Sequence, residues 1–158
     1  MIEITWPGKA RSLADLDSDK KQQKGLQMIE DHRKKEPSNR LIYGDNLSAA
    51  LALLPEFEGK IDLITIDPPF AVGLNFRARI MVGKEKRKVP AYTDKWAGGH
   101  AEYLSMLYPR LSVFHKLLSP QGSIIVHCDW RVCHLIRSLL DEIFGADAFQ
   151  NQICWAYG

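Results

Sequence analysis

Short apolar runs alternate with helix-like segments along most of this chain. The runs lack the every-second-residue alternation of a strand with one wet face, and such runs are typical of strands buried in parallel sheets. Parallel strands need long crossovers, which helices usually supply. The order therefore predicts an α/β fold in which a parallel sheet carries helices on both faces. The predicted strands are 40–44, 61–66 and 123–127, with a fourth beginning at 153–155, and the predicted helices are 47–54, 100–118 and 130–144.

Two parts of the chain lack this regular order. Residues 1–39 are polar on balance, and we expect them to form a partly helical N-terminal extension, with a weak helix signal at 20–35. Residues 40–158 form the second part of the predicted domain organisation. Within it, 71–99 show no hydrophobic periodicity and predict a long loop, a feature that is usually functional or mobile in a compact domain.

Composition indicates a globular chain in a reducing compartment. Of 158 residues, 46% are hydrophobic and 25% are charged, which argues against wholesale disorder. No apolar run approaches the roughly 20 residues of a membrane helix, and the N-terminus has no secretory signal. The three cysteines are odd in number and do not have the spacing of a disulfide framework. We therefore expect a cytoplasmic protein without a membrane partner.

Three polar side chains follow three of the predicted strands. Asp45 follows the first strand, Asp67 the second and His127 the third. In open parallel sheets, ligands bind beyond the carboxyl ends of the strands. We expect these residues to line one edge of the sheet and to mark the functional site.

The sequence Asp67-Pro68-Pro69-Phe70 is the segment richest in chemical information. Its two prolines remove two backbone donors and fix two φ angles, which makes a rigid bend at the end of a strand. That bend presents a carboxylate, bare carbonyl acceptors and an aromatic ring. Asp67 and a proline carbonyl can accept hydrogen bonds from the two N–H groups of an exocyclic amine, and Phe70 can stack on its ring. The segment predicts a pocket for a planar base with an amino group, although such a tripeptide alone is more often a simple strand end.

Positive charge is concentrated between Arg77 and Lys95. This stretch holds seven basic and two acidic residues, an excess of five positive charges, whereas the whole chain carries a net charge of only +2. Such a cluster can neutralise phosphates, and a solvated surface loop is the competing interpretation. The candidate DNA-binding residues are Arg77, Arg79, Lys84, Lys86, Arg87 and Lys88.

The wider pattern resembles the type III modification subunits and their relatives among the permuted, or beta-class, adenine-N6 DNA methyltransferases. Asp67-Pro68-Pro69-Phe70 is similar to the catalytic Asp-Pro-Pro-Tyr/Phe motif of amino-methyltransferases that act on DNA. The resemblance runs from about residue 40 to 158 and is loose before that. Its further motifs are Leu41-Ile42-Tyr43-Gly44-Asp45-Asn46-Leu47, Gly73-Leu74-Asn75-Phe76, Trp96-Ala97-Gly98-Gly99, Tyr103-Leu104, Pro109-Arg110-Leu111, Ser123-Ile124-Ile125-Val126-His127-Cys128-Asp129 and Leu139-Leu140-Asp141-Glu142-Ile143-Phe144-Gly145.

This resemblance implies a Rossmann-like fold of the S-adenosylmethionine (AdoMet) methyltransferase type and a flipped adenine in double-stranded DNA as the substrate. Carried over residue by residue, Asp67, Pro68, Pro69 and Phe70 form the catalytic pocket. Asp45, Asn46 and Asp67 border the AdoMet site. Phe70 departs from the commoner tyrosine, but stacking needs only an aromatic face. Asp67 in place of serine favours adenine over cytosine-N4 chemistry.

One expected element is absent from the sequence. The family's AdoMet site needs a Phe-x-Gly-x-Gly turn, and none of the glycines here forms one. In the permuted class that turn lies C-terminal to the catalytic motif. We therefore expect this chain to be an incomplete methyltransferase domain that depends on a C-terminal complement or the remainder of the same protein. A restriction subunit is a possible further partner.

Three alternatives remain open at this point. The first is cytosine-N4 methylation. The second is an inactive DNA-binding remnant, because the glycine turn is missing. The third is a zinc-dependent interaction module, since His127-Cys128 and Cys133-His134 give an H-C-x₄-C-H pattern. We expect no metal, because the first pair ends a strand and the second lies in the next helix.

Overall fold

The computed structural model describes residues 3–12, 16, 18, 26–27 and 39–156. We number the elements in chain order. The helices are α1 (Asn46–Phe57), α2 (Gly99–Leu117) and α3 (Cys133–Phe144), followed by a short 3₁₀ turn at Ala146–Ala148. The strands are β1 (Ile61–Ile66), β2 (Asn75–Val82), β3 (Glu85–Thr93) and β4 (Leu118–Val126). Apart from Leu26 and Gln27, which are not helical, the helix predicted at 20–35 lies outside the described residues.

The central sheet pairs β1 with β4 in parallel. Ile64 lies opposite Ile124 and Ile66 opposite Val126, and a bulge near Ile61 separates the two ends of the register. The 99–117 helix provides the crossover between the two strands, as a parallel connection requires. The predicted α/β class with a parallel sheet is confirmed.

One face of this sheet packs on the helices. Ile64, Ile66, Ile124 and Val126 contact a core cluster formed mainly by side chains of α1, α2 and α3. The opposite face is open within the part of the chain that the structure describes, because Leu63 and Ile125 are 57% and 56% exposed. The prediction of helices on both faces is therefore not met among these residues, although each strand is apolar enough to accept them. No described helix is long and apolar enough to cross a membrane.

The N-terminal segment 3–12 packs onto α2 and α3. The Trp6 indole is buried and donates to Ser105 Oγ at 2.8 Å. Glu142 of α3 accepts from the Ile4 amide at 2.9 Å and from Lys9 Nζ at 2.6 Å. These contacts place the segment in the same hydrophobic core as the helices.

Two predicted strands are wrong. Residues 40–44 have no regular structure, and Leu41 and Tyr43 are fully exposed. Residues 153–155 are likewise irregular and exposed. An apolar run becomes a strand only where a neighbouring strand satisfies its backbone groups, and the described residues supply no such neighbour for either run.

The predicted loop at 71–99 instead contains an antiparallel hairpin, β2–β3, which forms a sheet of its own. Nearly every residue of the hairpin is exposed. Phe76, Ala78 and Ile80 alternate with polar residues in β2, but the four charged residues that begin β3 do not continue this pattern. The turn is Gly83-Lys84, and Gly83 has a φ of +63°. Glycine at the first of two turn residues is typical of a type II′ hairpin turn.

Candidate functional site

Asp67 and His127 meet at the carboxyl edge of the central sheet. Asp67 follows β1 and His127 follows β4, whose ladder continues through a 2.9 Å hydrogen bond from the His127 amide to the Ile66 carbonyl. The two side chains approach to 3.1 Å between His127 Nδ1 and Asp67 Oδ1. The side chains of His127 and Asp67 are 69% and 70% exposed, respectively, so a ligand can reach them from solvent. The predicted meeting of these two residues at one edge is confirmed.

Phe70 lies beside the Asp67–His127 pair. Its ring packs edge-to-face against the His127 imidazole, with ring centroids 5.2 Å apart. Among the described residues, no donor bonds to the carbonyl of Pro68 or Pro69, and both prolines are half-buried. The bend therefore combines an accessible carboxylate, acceptor carbonyls and an aromatic face. These are the groups that can hold a planar ring through its amino substituent.

The chain leaves this bend in a strained conformation that Asp94 holds. Ala71 has a φ of +53°, the only non-glycine residue with a positive φ in the described part of the chain. This left-handed geometry costs roughly 1–2 kcal/mol for a residue with a Cβ. The buried Asp94 carboxylate accepts hydrogen bonds from the amides of Ala71 and Val72, each at 2.9 Å. The Trp96 indole donates to the same carboxylate at 3.0 Å.

A buried aromatic layer lies beside Asp94. Tyr103 has no exposed surface and packs edge-to-face with Trp96 at 5.4 Å between centroids. Burial raises the pKa of the Tyr103 hydroxyl, with smaller contributions from Cys128 and Asp94. That hydroxyl has no hydrogen-bond partner among the described residues.

Asp45 and Asn46 lie at the start of α1 and contact Arg110 of α2. Asp45 caps the helix by accepting from the amides of Leu47 and Ser48 at 3.1 and 3.0 Å. Arg110 donates to Asp45 Oδ2 at 2.8 Å and to Asn46 Oδ1 at 2.7 Å. Burial acts to raise the pKa of Asp45, but the Ser48 hydrogen bonds and the Arg110 charge outweigh it and hold the pKa below its usual value.

No described contact joins Asp45 or Asn46 to the Asp67–His127 pair. Asp45 and Arg110 instead line a cavity of about 520 Å³ beside the N-terminal segment, with Gly8 and Ser12 on its other side. The role of Asp45 and Asn46 as cofactor-binding residues stays a prediction.

The hairpin sorts the candidate DNA-binding residues between its faces. Arg79 lies opposite Lys88, and Arg77 and Lys86 have the same side-chain direction because alternate residues of a strand share a face. We call this set of four the cationic face. Arg87 lies opposite Ile80 on the other face and pairs with Glu85 at 3.2 Å. Lys84 is in the turn. All six side chains are exposed.

Comparison with known proteins agrees with this geometry. A family model for N6 and N4 amino-methyltransferases, described as DNA methylase, matches residues 61–158, which hold the strand, the bend, the hairpin and His127. The chain belongs to the N6/N4 DNA methylase family.

Three relatives from restriction-modification enzymes and methyltransferases align with nearly the whole chain. The EcoP15I Mod subunit, a type III restriction-modification enzyme of Escherichia coli, is 26% identical over 96% of this chain and 26% of its own length. The type II methyltransferase M.EcaI of Enterobacter cloacae is 32% identical over 96% of this chain and 32% of its own length. The EcoPI Mod subunit of Escherichia phage P1 is 28% identical over 92% of this chain and 25% of its own length. The chain therefore spans a quarter to a third of these relatives, and the resemblance to type III modification subunits is confirmed.

The cysteine-histidine pattern does not form a single site among the described residues. The described residues contain no group of three or more histidine, cysteine, aspartate or glutamate side chains that could hold a metal ion. The Cys133 thiol donates to the Trp130 carbonyl at 3.3 Å. Burial raises the pKa of the Cys128 thiol, which therefore stays protonated at neutral pH.

Sequence reasoning missed Asp94 and Arg110. Asp94 counted only as one of two acids within the basic stretch, and Arg110 only as part of a motif. No local sequence signal pointed to Asp94, because it is 23 residues from Ala71 along the chain.

Proposed function

We propose that the full-length enzyme transfers a methyl group from AdoMet to the N6 amino group of an adenine flipped out of double-stranded DNA. The observation that carries this proposal is the cluster of Asp67, Phe70 and His127 at the carboxyl edge of two parallel strands, beside two acceptor carbonyls. Membership of the N6/N4 DNA methylase family supports the reaction type.

The chemistry follows from the amino group itself. Its lone pair is delocalised into the adenine ring and is a poor nucleophile until hydrogen bonds hold the nitrogen in a reactive geometry. In this proposal Asp67 accepts from one N–H and the carbonyl of Pro68 or Pro69 accepts from the other, while Phe70 stacks on the ring. Positioning and electrostatics then supply the rate. Flipping the base costs a few kcal/mol, which stacking in the pocket offsets.

His127 orients the acceptor in this scheme. In the tautomer with a proton on Nδ1, its imidazole donates to Asp67 Oδ1 at 3.1 Å. Asp67 Oδ2 then stays directed to the substrate amine. After transfer the nitrogen loses a proton, which Asp67 can accept and pass to solvent.

The residues proposed for the cofactor are Asp45, Asn46 and Asp67. The side chain of Asp45 is 53% exposed, so it can accept a further hydrogen bond although it already caps α1. AdoMet, when bound, supplies an electrophilic methyl group. The Phe-x-Gly-x-Gly turn that binds the methionine end of AdoMet in the enzymes that this sequence resembles is not in this sequence, and in this proposal another part of the full-length enzyme supplies it.

Nucleoside analysis tests the proposal. The full-length protein is incubated with methyl-labelled AdoMet and unmethylated DNA, which is then digested and separated by mass spectrometry. We expect N6-methyladenine. Detection of N4-methylcytosine instead would show that cytosine is the substrate. Retained DNA binding without any methyl transfer would indicate the inactive remnant.

We further propose that the cationic face of the hairpin contacts DNA phosphates. It gathers Arg77, Arg79, Lys86 and Lys88 on one side of a ribbon that begins three residues after the Ala71–Val72 turn. Arg87 contributes less in this proposal, because it projects from the opposite face and is paired with Glu85.

The salt dependence of DNA binding tests this assignment. We expect Arg79→Gln to weaken binding to all DNA sequences and to reduce the slope of log Kd against log salt by up to about 0.9, the value for one lost phosphate contact. Arg87→Gln is the matched control, since it removes the same charge from the other face, and its slope should stay within error of the wild type. Equal slopes for wild type and Arg79→Gln would show that the cationic face meets only solvent.

A further inference from the structure

We propose that Asp94 is a positioning residue that fixes the catalytic bend for methyl transfer. This inference rests on the proposed function, and no sequence motif assigned Asp94 a role. The argument begins with the burial of the residue. Its side chain is a carboxylate in a position only 1% exposed to solvent. Among the described residues no ion pair includes it, and hydrogen bonds compensate its charge there.

Three donors converge on this carboxylate. Oδ1 accepts from the Ala71 amide at 2.9 Å and from the Trp96 indole at 3.0 Å, and Oδ2 accepts from the Val72 amide at 2.9 Å. Two consecutive backbone amides on two oxygens of one carboxylate define the orientation of that peptide segment. A carbonyl or a hydroxyl in the same place could not bind both amides in this way.

The backbone that Asp94 binds, at Ala71 and Val72, includes a residue in an unfavourable conformation. Ala71 has a φ of +53°, a geometry that a residue with a Cβ rarely adopts unless its surroundings impose it. Phe70 directly precedes Ala71, so the backbone of Ala71 sets the direction from which the Phe70 ring meets His127. Because Pro68 and Pro69 have no N–H, the bend cannot be fixed through amides at those positions.

The backbone of Asp94 also closes the base of the hairpin. Its amide donates to the Leu74 carbonyl at 2.9 Å, and its carbonyl accepts from the Gly73 amide at 3.1 Å. One residue therefore ties the catalytic bend to the start and the end of the ribbon that carries the cationic face. Loss of the side-chain hydrogen bonds of Asp94 would release Ala71 and Val72, and Phe70 with them, while its two backbone hydrogen bonds at the base of the hairpin remain.

The test is Asp94→Asn in the full-length enzyme. The amide keeps the volume, but one oxygen becomes an NH₂ that cannot accept from a backbone amide. We expect the single-turnover rate of methyl transfer to fall by at least tenfold, while Kd for DNA and for AdoMet stays within threefold. Trp96→Phe is the control, because it removes one donor and leaves both loop amides bonded, and its rate should stay within threefold.

A second readout does not depend on activity. Amide hydrogen exchange at Ala71 and Val72 should become at least tenfold faster in Asp94→Asn and stay unchanged in Trp96→Phe. Where the asparagine variant does not fold, Asp94→Glu keeps the charge and displaces it by one methylene, and the same rate loss is expected. An unchanged rate or unchanged exchange in a folded variant overturns the positioning role. A wild-type enzyme that methylates no amino group overturns the proposed function instead, even if exchange still responds to Asp94→Asn.

Discussion

Asp67→Ala in the full-length enzyme should reduce methyl transfer by a factor of about 100 or more, because losing a preorganised group at a reacting centre costs about 10²–10³ in rate. The proposed role of Asp67 is to accept a hydrogen bond from the amino group that becomes methylated. DNA binding should stay nearly unchanged, since phosphates contact other residues in this proposal. The side chain is 70% exposed, so its removal should not disturb the core. Single-turnover methylation and a parallel binding titration measure the two effects.

Asp62→Ala is the matched control for this prediction. Asp62 is an exposed carboxylate of β1, five residues before Asp67, and its Oδ1 accepts from Ser119 Oγ at 3.1 Å. The Asp62→Ala substitution also removes one carboxylate, but from within β1 and away from the carboxyl edge that Asp67 occupies. Its transfer rate should match the wild type. An Asp67→Ala enzyme that keeps more than about a tenth of the wild-type rate would refute the catalytic assignment, given the loss expected above.

The sequence was sufficient to predict the central strands and the edge where Asp67 meets His127. Ile61–Ile66 and the run at 123–127 are apolar, short and separated by a long helix, so parallel pairing was the simplest arrangement. Parallel pairing then brings the residues after each strand together, whatever the detail of the loops. Phe70 joins them because the prolines leave the chain few directions.

Three features could not be predicted because their causes lie outside the local sequence. The run at 40–44 is apolar, but no described strand lies beside it. In the hairpin at 75–93, the alternation of Phe76, Ala78 and Ile80 stops at the four charged residues that begin β3, so only its first strand carries a strand pattern. Asp94 is 23 residues from Ala71 along the chain, and only the folded hairpin brings the two together. Pairing partners and long-range hydrogen bonds are properties of the tertiary structure.

A polypeptide restricted to residues 1–158 should bind AdoMet poorly, associate with itself and transfer no methyl group. Leu63 and Ile125 are more than half exposed on the open face of the sheet. Leu41 and Tyr43, which precede α1 in the sequence, are fully exposed. Apolar burial is worth roughly 25 cal/mol per Å². Leaving a few hundred Å² uncovered therefore removes several kcal/mol from a stability that is typically about 5–15 kcal/mol. The sequence also lacks the Phe-x-Gly-x-Gly turn.

Three measurements on the purified polypeptide check this prediction. Calorimetric titration with AdoMet should give weak or undetectable heat, sedimentation should show concentration-dependent association, and labelled DNA should contain no methylated base. M.EcaI, a type II methyltransferase similar to the chain over 96% of its residues, serves as the positive control for AdoMet binding and transfer. Tight AdoMet binding and methyl transfer by residues 1–158 as a monomer would contradict this prediction. The open face of the sheet would then need no covering partner. The cofactor would then bind without a glycine turn, and the cavity of about 520 Å³ beside Asp45 and Arg110 would be the first place to locate it.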